Sequence, residues 1–283
     1  MLQPKIVQKL HPATRDDIQD LVTRRPLPNP HLPDLDPFLF LNHHGPQVYP
    51  PKNDGLPFGP HPHRGFATVT FIHQGSLSHE DSSGGEKVVT AGGVQWMSAG
   101  RGLVHAELSP ETFKQNGGPL EILQLWVNLP ARLKLSPPRY EGFEAEEIPL
   151  LNEDEGRVKV KLLSGQWAGV SGPLVAPVDL VLADLHFSPA GNIKISSPAG
   201  ESLLFYVVKG SVNVNGVPVL ENYLAEFGRA EGTLDIRSGE GAQVLFGRAM
   251  PYGEPIVAYG PFVMNTKAEI AQAIKDYQDG KFS

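Results

Sequence analysis

Two short segments hold the side chains best suited to chemistry: His61-Pro62-His63 and His105-Ala106-Glu107. In each, the two donor side chains stand two residues apart, and along an extended strand residues i and i+2 project to the same face. Pro60 and Pro62 hold Gly59 and His61, the residues before them, in extended conformation. Three imidazoles and one carboxylate make a donor set for a first-row divalent metal. It lies nearest the histidine-plus-carboxylate sites of non-haem Fe(II), with Mn, Ni, Cu and Zn as competitors. Calcium would want more oxygens. A single HxH pair is commonly two hydrogen-bonded histidines beside a turn, but two such pairs point to one shared site.

The segment between the pairs must bring them together. Thr68 to Ile72 is β-branched, aromatic and alternating, and Gln74-Gly75, Ser82 to Gly85 and Ala91 to Gly93 read as turns. A compact antiparallel barrel joins the two pairs. Gly100 and Gly102 allow a tight approach before His105, because glycine accepts backbone angles that other residues do not. Leu120 to Val127 closes the barrel, with Gln124 and Trp126 on one face, expected to look into the pocket.

The segments Gly59-Pro-His-Pro-His-Arg-Gly-Phe66 and Gln95-Trp-Met-Ser-Ala-Gly-Arg-Gly-Leu-Val-His-Ala-Glu107 resemble the pirin family of the cupin superfamily. Asp36-Pro-Phe38, Asn42-His-His-Gly-Pro46, Leu125-Trp-Val-Asn128 and Gly260-Pro-Phe-Val-Met-Asn-Thr266 are similar to further pirin signatures, so the resemblance runs almost end to end. It implies an all-β fold of two tandem cupin (jelly-roll) barrels with a short C-terminal helix. Residues 1–135 would form the barrel carrying the metal, and residues 136–283 a barrel without one. The resemblance places iron, Fe(II), on His61, His63, His105 and Glu107. The general cupin motif has a carboxylate four residues after its second histidine; here that residue is Ala67, so the acidic ligand falls to Glu107, as in pirins.

The implied reaction is flavonol (quercetin) 2,3-dioxygenation. The metal takes the 3-hydroxyl of a flavonol as its anion, and O2 opens the heterocycle with loss of carbon monoxide. Glu107 is the candidate proton acceptor. A rival role is also implied, that of an iron-dependent regulatory adaptor binding a transcription factor or a metabolic enzyme.

At 283 residues the chain exceeds a single comfortable core, which makes two domains the default. Its 30 glycines and 27 prolines, spread without a repeat among short apolar runs, favour β over helical architecture. The absence of cysteine excludes disulfides and zinc–thiolate sites and agrees with a reducing compartment, cytoplasmic or, in a eukaryote, nuclear. No signal-type segment and no run of about 18 apolar residues is present, so no membrane association is expected. A formal charge of −7 argues against a direct nucleic-acid surface, and a monomer is expected.

In chain order, Lys5 to Leu10 reads as a first strand, Arg24 to Pro37 as a proline-rich connection and Phe38 to Leu41 as a short buried strand. His43 and His44, beside Gly45-Pro46, read as solvated or locally hydrogen-bonded, and His79 as a loop anchor. The domain boundary is expected near Pro130 to Glu147, where Ser136-Pro-Pro138 stops any strand and Glu141 to Glu147 is acidic and polar like a linker. In the second half, Lys194 and Ser196 occupy the positions expected for an HxH pair, and His186 is the sole histidine. Thr266-Lys-Ala-Glu269 has capping-box spacing ahead of an amphipathic helix that ends before Gly280.

Overall fold

The computed structural model describes residues 2–82, 84 and 86–282; Ser83 and Gly85 of the turn expected at Ser82 to Gly85 lie outside the described residues, as do Met1 and Ser283 at the expected domain ends. The chain is almost all β. Among the described residues there are two α-helices, and no helix is long and apolar enough to cross a membrane.

The two compact units are not consecutive halves of the chain. One gathers residues 1–14, 25–37 and 147–251, and the other residues 15–24, 38–146 and 252–283. A single cut at 135/136 therefore separates segments that pack together. Strand Val7–Pro12 pairs antiparallel with Tyr223–Phe227, and the helix Lys267–Gln278 packs beside the strands Val257–Tyr259 and Phe262–Met264, in the same unit as His61. The expected linker also differs. Arg139–Phe143 is a strand, paired residue for residue with Val94–Ser98.

In the unit containing the histidine pairs, strands Arg139–Phe143, Val94–Ser98, Phe66–Gln74, Gly118–Asn128 and Phe38–Tyr49 are neighbours in a seven-stranded sheet. A second sheet of four orders Phe58–His63, Leu103–Leu108, Ser76–Asp81 and Glu86–Thr90. Ile72, Leu120 and Ile122 of the first sheet pack with Leu77 and Val89 of the second, an apolar floor for the space between them. Burying each such side chain stabilises by roughly 1.5–3 kcal/mol. The strand expected at Phe38 to Leu41 is longer than its apolar run. It continues through His43, His44 and Gly45-Pro46 to Tyr49, because Gly118–Asn128 supplies a partner along its whole length.

The other unit has a core of Val, Leu, Ile and Phe, including Ile193, Ile195, Leu203, Phe205 and Phe246. Strand Asn192–Ser197 puts Ile193 and Ile195 inside and leaves Lys194 and Ser196 exposed. The interior positions of this strand are thus apolar, and the pair compared with HxH in the sequence lies on the opposite face.

Half of the capping box forms as its spacing predicts, and the reciprocal bond to the Glu269 carboxylate comes from Asn265, one residue before the cap, instead of from the Thr266 N–H. Thr266 Oγ1 accepts from the Glu269 N–H at 3.2 Å, and the Glu269 carboxylate accepts from the Asn265 N–H at 3.0 Å. Ile270 and Ala273 face inward, against Phe262, Met264 and Phe282. The six-residue helix Glu111–Asn116, not expected from the sequence, starts after Pro110 and buries Phe113.

Candidate metal centre

Pairing of strands Phe58–His63 and Leu103–Leu108 sets His61 directly opposite His105, and Leu103 opposite His63. The three imidazoles converge. Their ring centroids lie 4.4 Å (His61 to His105), 4.8 Å (His61 to His63) and 4.9 Å (His63 to His105) apart. One ring nitrogen from each falls within 4.8 Å of the others, close enough to share a metal ion.

Backbone carbonyls orient two of the rings. His61 Nδ1 lies 2.7 Å from the Gly59 carbonyl and His63 Nδ1 lies 3.3 Å from the Pro261 carbonyl. A carbonyl only accepts, so each Nδ1 carries the proton and each Nε2 keeps a lone pair for a metal, the usual support for a ligating histidine. Burial pushes His63 down to about 3, helped by neighbouring His61, and burial likewise holds His105 well below the ordinary histidine range, with His63, His61 and His79 adding to it. Both rings are therefore neutral at ordinary pH and could offer a lone pair to a metal.

His105 decides whether the site fits a metal. It is 1% exposed, and neither of its ring nitrogens has a hydrogen-bond partner. A buried polar atom without a partner costs free energy. A metal ion on the lone-pair nitrogen of His105 supplies the interaction that the fold withholds. The donor set suits one.

Glu107 is 2% exposed, on the same strand as His105, and its two oxygens have other partners. Oε1 accepts from Thr70 Oγ1 at 3.0 Å and Gln95 Nε2 at 2.6 Å, and Oε2 accepts from Gln124 Nε2. The cluster of mutually close ligand atoms takes in the three histidines and not Glu107. The donors come from one row of the large sheet, where Thr70 is paired with Gln124 on one side and Gln95 on the other. Gln124 thus reaches the pocket, as its alternation with Trp126 predicts. Thr70 and Gln95 were missed, because a single polar residue inside an apolar strand carries no spacing signal of its own.

The walls are aromatic. Trp126 stacks on Phe40 at 4.6 Å, lies 4.3 Å from Phe66, and presents to His63 at 5.5 Å. His79 is no loop anchor. It lies fully buried in strand Ser76–Asp81, bonded to Asp81 at 2.9 Å, stacked on Tyr140 at 3.9 Å, and 5.4 Å from His105. Nor are His43 and His44 solvated: His43 Nε2 meets Glu121 Oε1 at 3.0 Å and His44 Nδ1 meets Thr23 Oγ1 at 2.9 Å, all buried.

Residues 252–283 brace the chain just after the strand Phe58–His63. Arg64 donates to Asp276 at 2.8 Å and to the Arg101 carbonyl at 2.6 Å, and its guanidinium lies 4.6 Å from the Phe282 ring centroid. Hydrogen bonds from Lys281, Arg64 and Gln272 hold the Asp276 carboxyl well below the usual carboxylate range. The Lys134 ammonium, 1% exposed, donates to the Gly65 carbonyl (2.8 Å), Asn128 Oδ1 (2.6 Å) and the Val263 carbonyl (3.0 Å).

Known proteins resemble this chain along most of its length. The family model described as Pirin matches residues 20–127, and that of the Pirin C-terminal cupin domain matches residues 182–283. The chain belongs to the pirin family. A Pseudomonas aeruginosa pirin relative, provisionally named quercetin 2,3-dioxygenase, is 40% identical over 95% of this chain and 94% of its own. A crystal structure of quercetin 2,3-dioxygenase from Acinetobacter baumannii is 34% identical, covers 99% of both chains and superposes with a TM-score of 0.93. The Escherichia coli pirin YhhW, solved with nickel(II), shares the fold at 24% identity, over 86% of this chain and 99% of its own, with a TM-score of 0.68.

Proposed function

We propose that this pirin is a dioxygenase that opens a flavonol with O2, using Fe(II) held by His61, His63, His105 and Glu107. The observation that carries the reading is the convergence of three imidazoles, one of them buried with both ring nitrogens unpartnered. The 34% identity to a structure titled quercetin 2,3-dioxygenase supports the choice of reaction. Bound there, Fe(II) would act as a Lewis acid that lowers the pKa of a coordinated hydroxyl and as a redox centre for O2.

The chain's own residues do the rest. His61 and His63, pinned through Nδ1, keep their Nε2 atoms aimed into the pocket. Phe40, Phe66 and Trp126 form a flat apolar wall beside His63, suited to a planar aromatic substrate. Glu107, once detached from the metal, would accept the proton of the flavonol 3-hydroxyl at Oε2, the oxygen with the fewer donors.

The test is oxygen consumption and carbon monoxide release with quercetin, per bound iron, by protein loaded with Fe(II) without air. Turnover above free iron supports the reading. No turnover at saturating oxygen overturns it and leaves the iron-dependent adaptor as the better account.

A further inference from the structure

We propose that Thr70, Gln95 and Gln124 are positioning residues that restrict Glu107 to meeting a metal through a single oxygen, Oε2. This rests on the reading of Glu107 as a ligand. A carboxylate offers about four lone-pair positions, two on each oxygen. Oε1 accepts two hydrogen bonds, from Thr70 and Gln95, and has none to spare. Oε2 accepts one, from Gln124, and keeps one position. That position serves either a metal or a proton at any moment.

The donors are fixed rather than adaptable. Thr70 and Gln95 are buried and stand opposite each other on paired strands. The Tyr140 hydroxyl donates to Gln95 Oε1 at 3.2 Å, so the Gln95 amide keeps its N–H side towards Glu107. Exchanging its oxygen and nitrogen would set a carbonyl against a carboxylate and the amide N–H₂ against a hydroxyl. Such a supporting shell governs how a ligand can coordinate. With the donors in place, Glu107 occupies one coordination position, and a six-coordinate metal keeps two for substrate and O2.

Cobalt(II) in place of iron tests this without turnover, because its visible d–d absorption responds to the donors and the symmetry of its coordination sphere. The proteins are the parent, Glu107→Gln, and the double variant Thr70→Val with Gln95→Met, which strips Oε1 of both donors at nearly constant shape. The expected result is a cobalt spectrum in the double variant that differs from the parent's, as a second carboxylate oxygen takes one of the two open positions, and no effect of the same two changes on the Glu107→Gln background. A parental spectrum in the double variant, with Glu107→Gln clearly altered, overturns the inference while leaving Glu107 a ligand. A parental spectrum in Glu107→Gln removes the ligand itself, and this inference with it. Thr70→Val alone, which deletes one hydroxyl from a β-branched side chain, carries the test if the double variant does not fold.

Discussion

Replacing His105 by leucine should stabilise the metal-free protein while abolishing its response to metal. A neutral imidazole has one N–H donor and one lone-pair acceptor, and in His105 both are buried without a partner. Each unsatisfied buried group costs about 1–3 kcal/mol, whereas an apolar replacement of similar shape leaves nothing unsatisfied. Against this stands imperfect packing of a branched aliphatic chain in a ring-shaped space, at most about 1.5 kcal/mol for well-matched volumes. The difference leaves the metal-free variant about 0.5–4.5 kcal/mol more stable than the parent. With metal the order reverses: at a free concentration one hundred times its Kd, the parent gains about 2.7 kcal/mol, and the variant, short of a ligand, gains little. Urea unfolding in chelator and in anaerobic Fe(II), followed by tryptophan fluorescence, measures both. Trp96 and Trp126 belong to the unit with the histidines, and Trp167 to the other, so Trp167→Phe in every protein isolates the relevant transition. A metal-free variant that loses about 2 kcal/mol or more would refute the reasoning, since His105 would then be satisfied without metal.

Three other outcomes follow from the same contacts. Glu107→Gln keeps the shape but discards the charge, so flavonol turnover per bound iron should fall by about 10² to 10⁴, the usual weight of a general base; parental turnover would leave Glu107 a ligand only. Lys134→Met abandons three acceptors, Gly65 O, Asn128 Oδ1 and Val263 O, and should cost about 1–3 kcal/mol for each one left unsatisfied, read as a lower urea midpoint together with faster amide exchange around Gly65 and Val263. Burial holds His43 below its ordinary 6.5 despite the Glu121 carboxylate beside it. The unfolded chain therefore takes up a proton that the folded one refuses, and stability falls as pH drops below 6.5, by up to about 1.4 kcal/mol per unit; His43→Gln should flatten that slope in urea titrations.

How much of this was legible depended on periodicity. The histidine pairs stood out because two-residue spacing on strands has one geometric meaning, and the capping box because Thr266 and Glu269 fix a helix start by themselves. The length of the Phe38–Tyr49 strand was hidden, since Gly45-Pro46 reads as a turn and only the partner strand Gly118–Asn128 overrides it. Arg139–Phe143 read as a linker for the same reason: its polar composition hides a pairing with Val94–Ser98. The donors to Glu107 come from three different strands, Phe66–Gln74, Val94–Ser98 and Gly118–Asn128, and no local pattern links Thr70, Gln95 and Gln124 before the sheet aligns them. Lys194 and Ser196 show that counting from a motif can land on the wrong face when the strand's register is unknown.

The division of the chain between the two units bears on how a newly made copy matures. Domains generally fold as they leave the ribosome, the earlier-made one first. Here the unit with the histidines takes its closing strands and helix from residues 252–283, and the other needs residues 1–14 together with 147–251. His61, His63 and His105 are all synthesised early, yet the carbonyl that orients His63 belongs to Pro261 and the carboxylate that anchors Arg64 belongs to Asp276. A nascent copy interrupted before residue 252 carries all three imidazoles but lacks the bracing that aims them. Any metal binding at these histidines would thereby wait for late translation, and prematurely terminated products would hold a metal poorly.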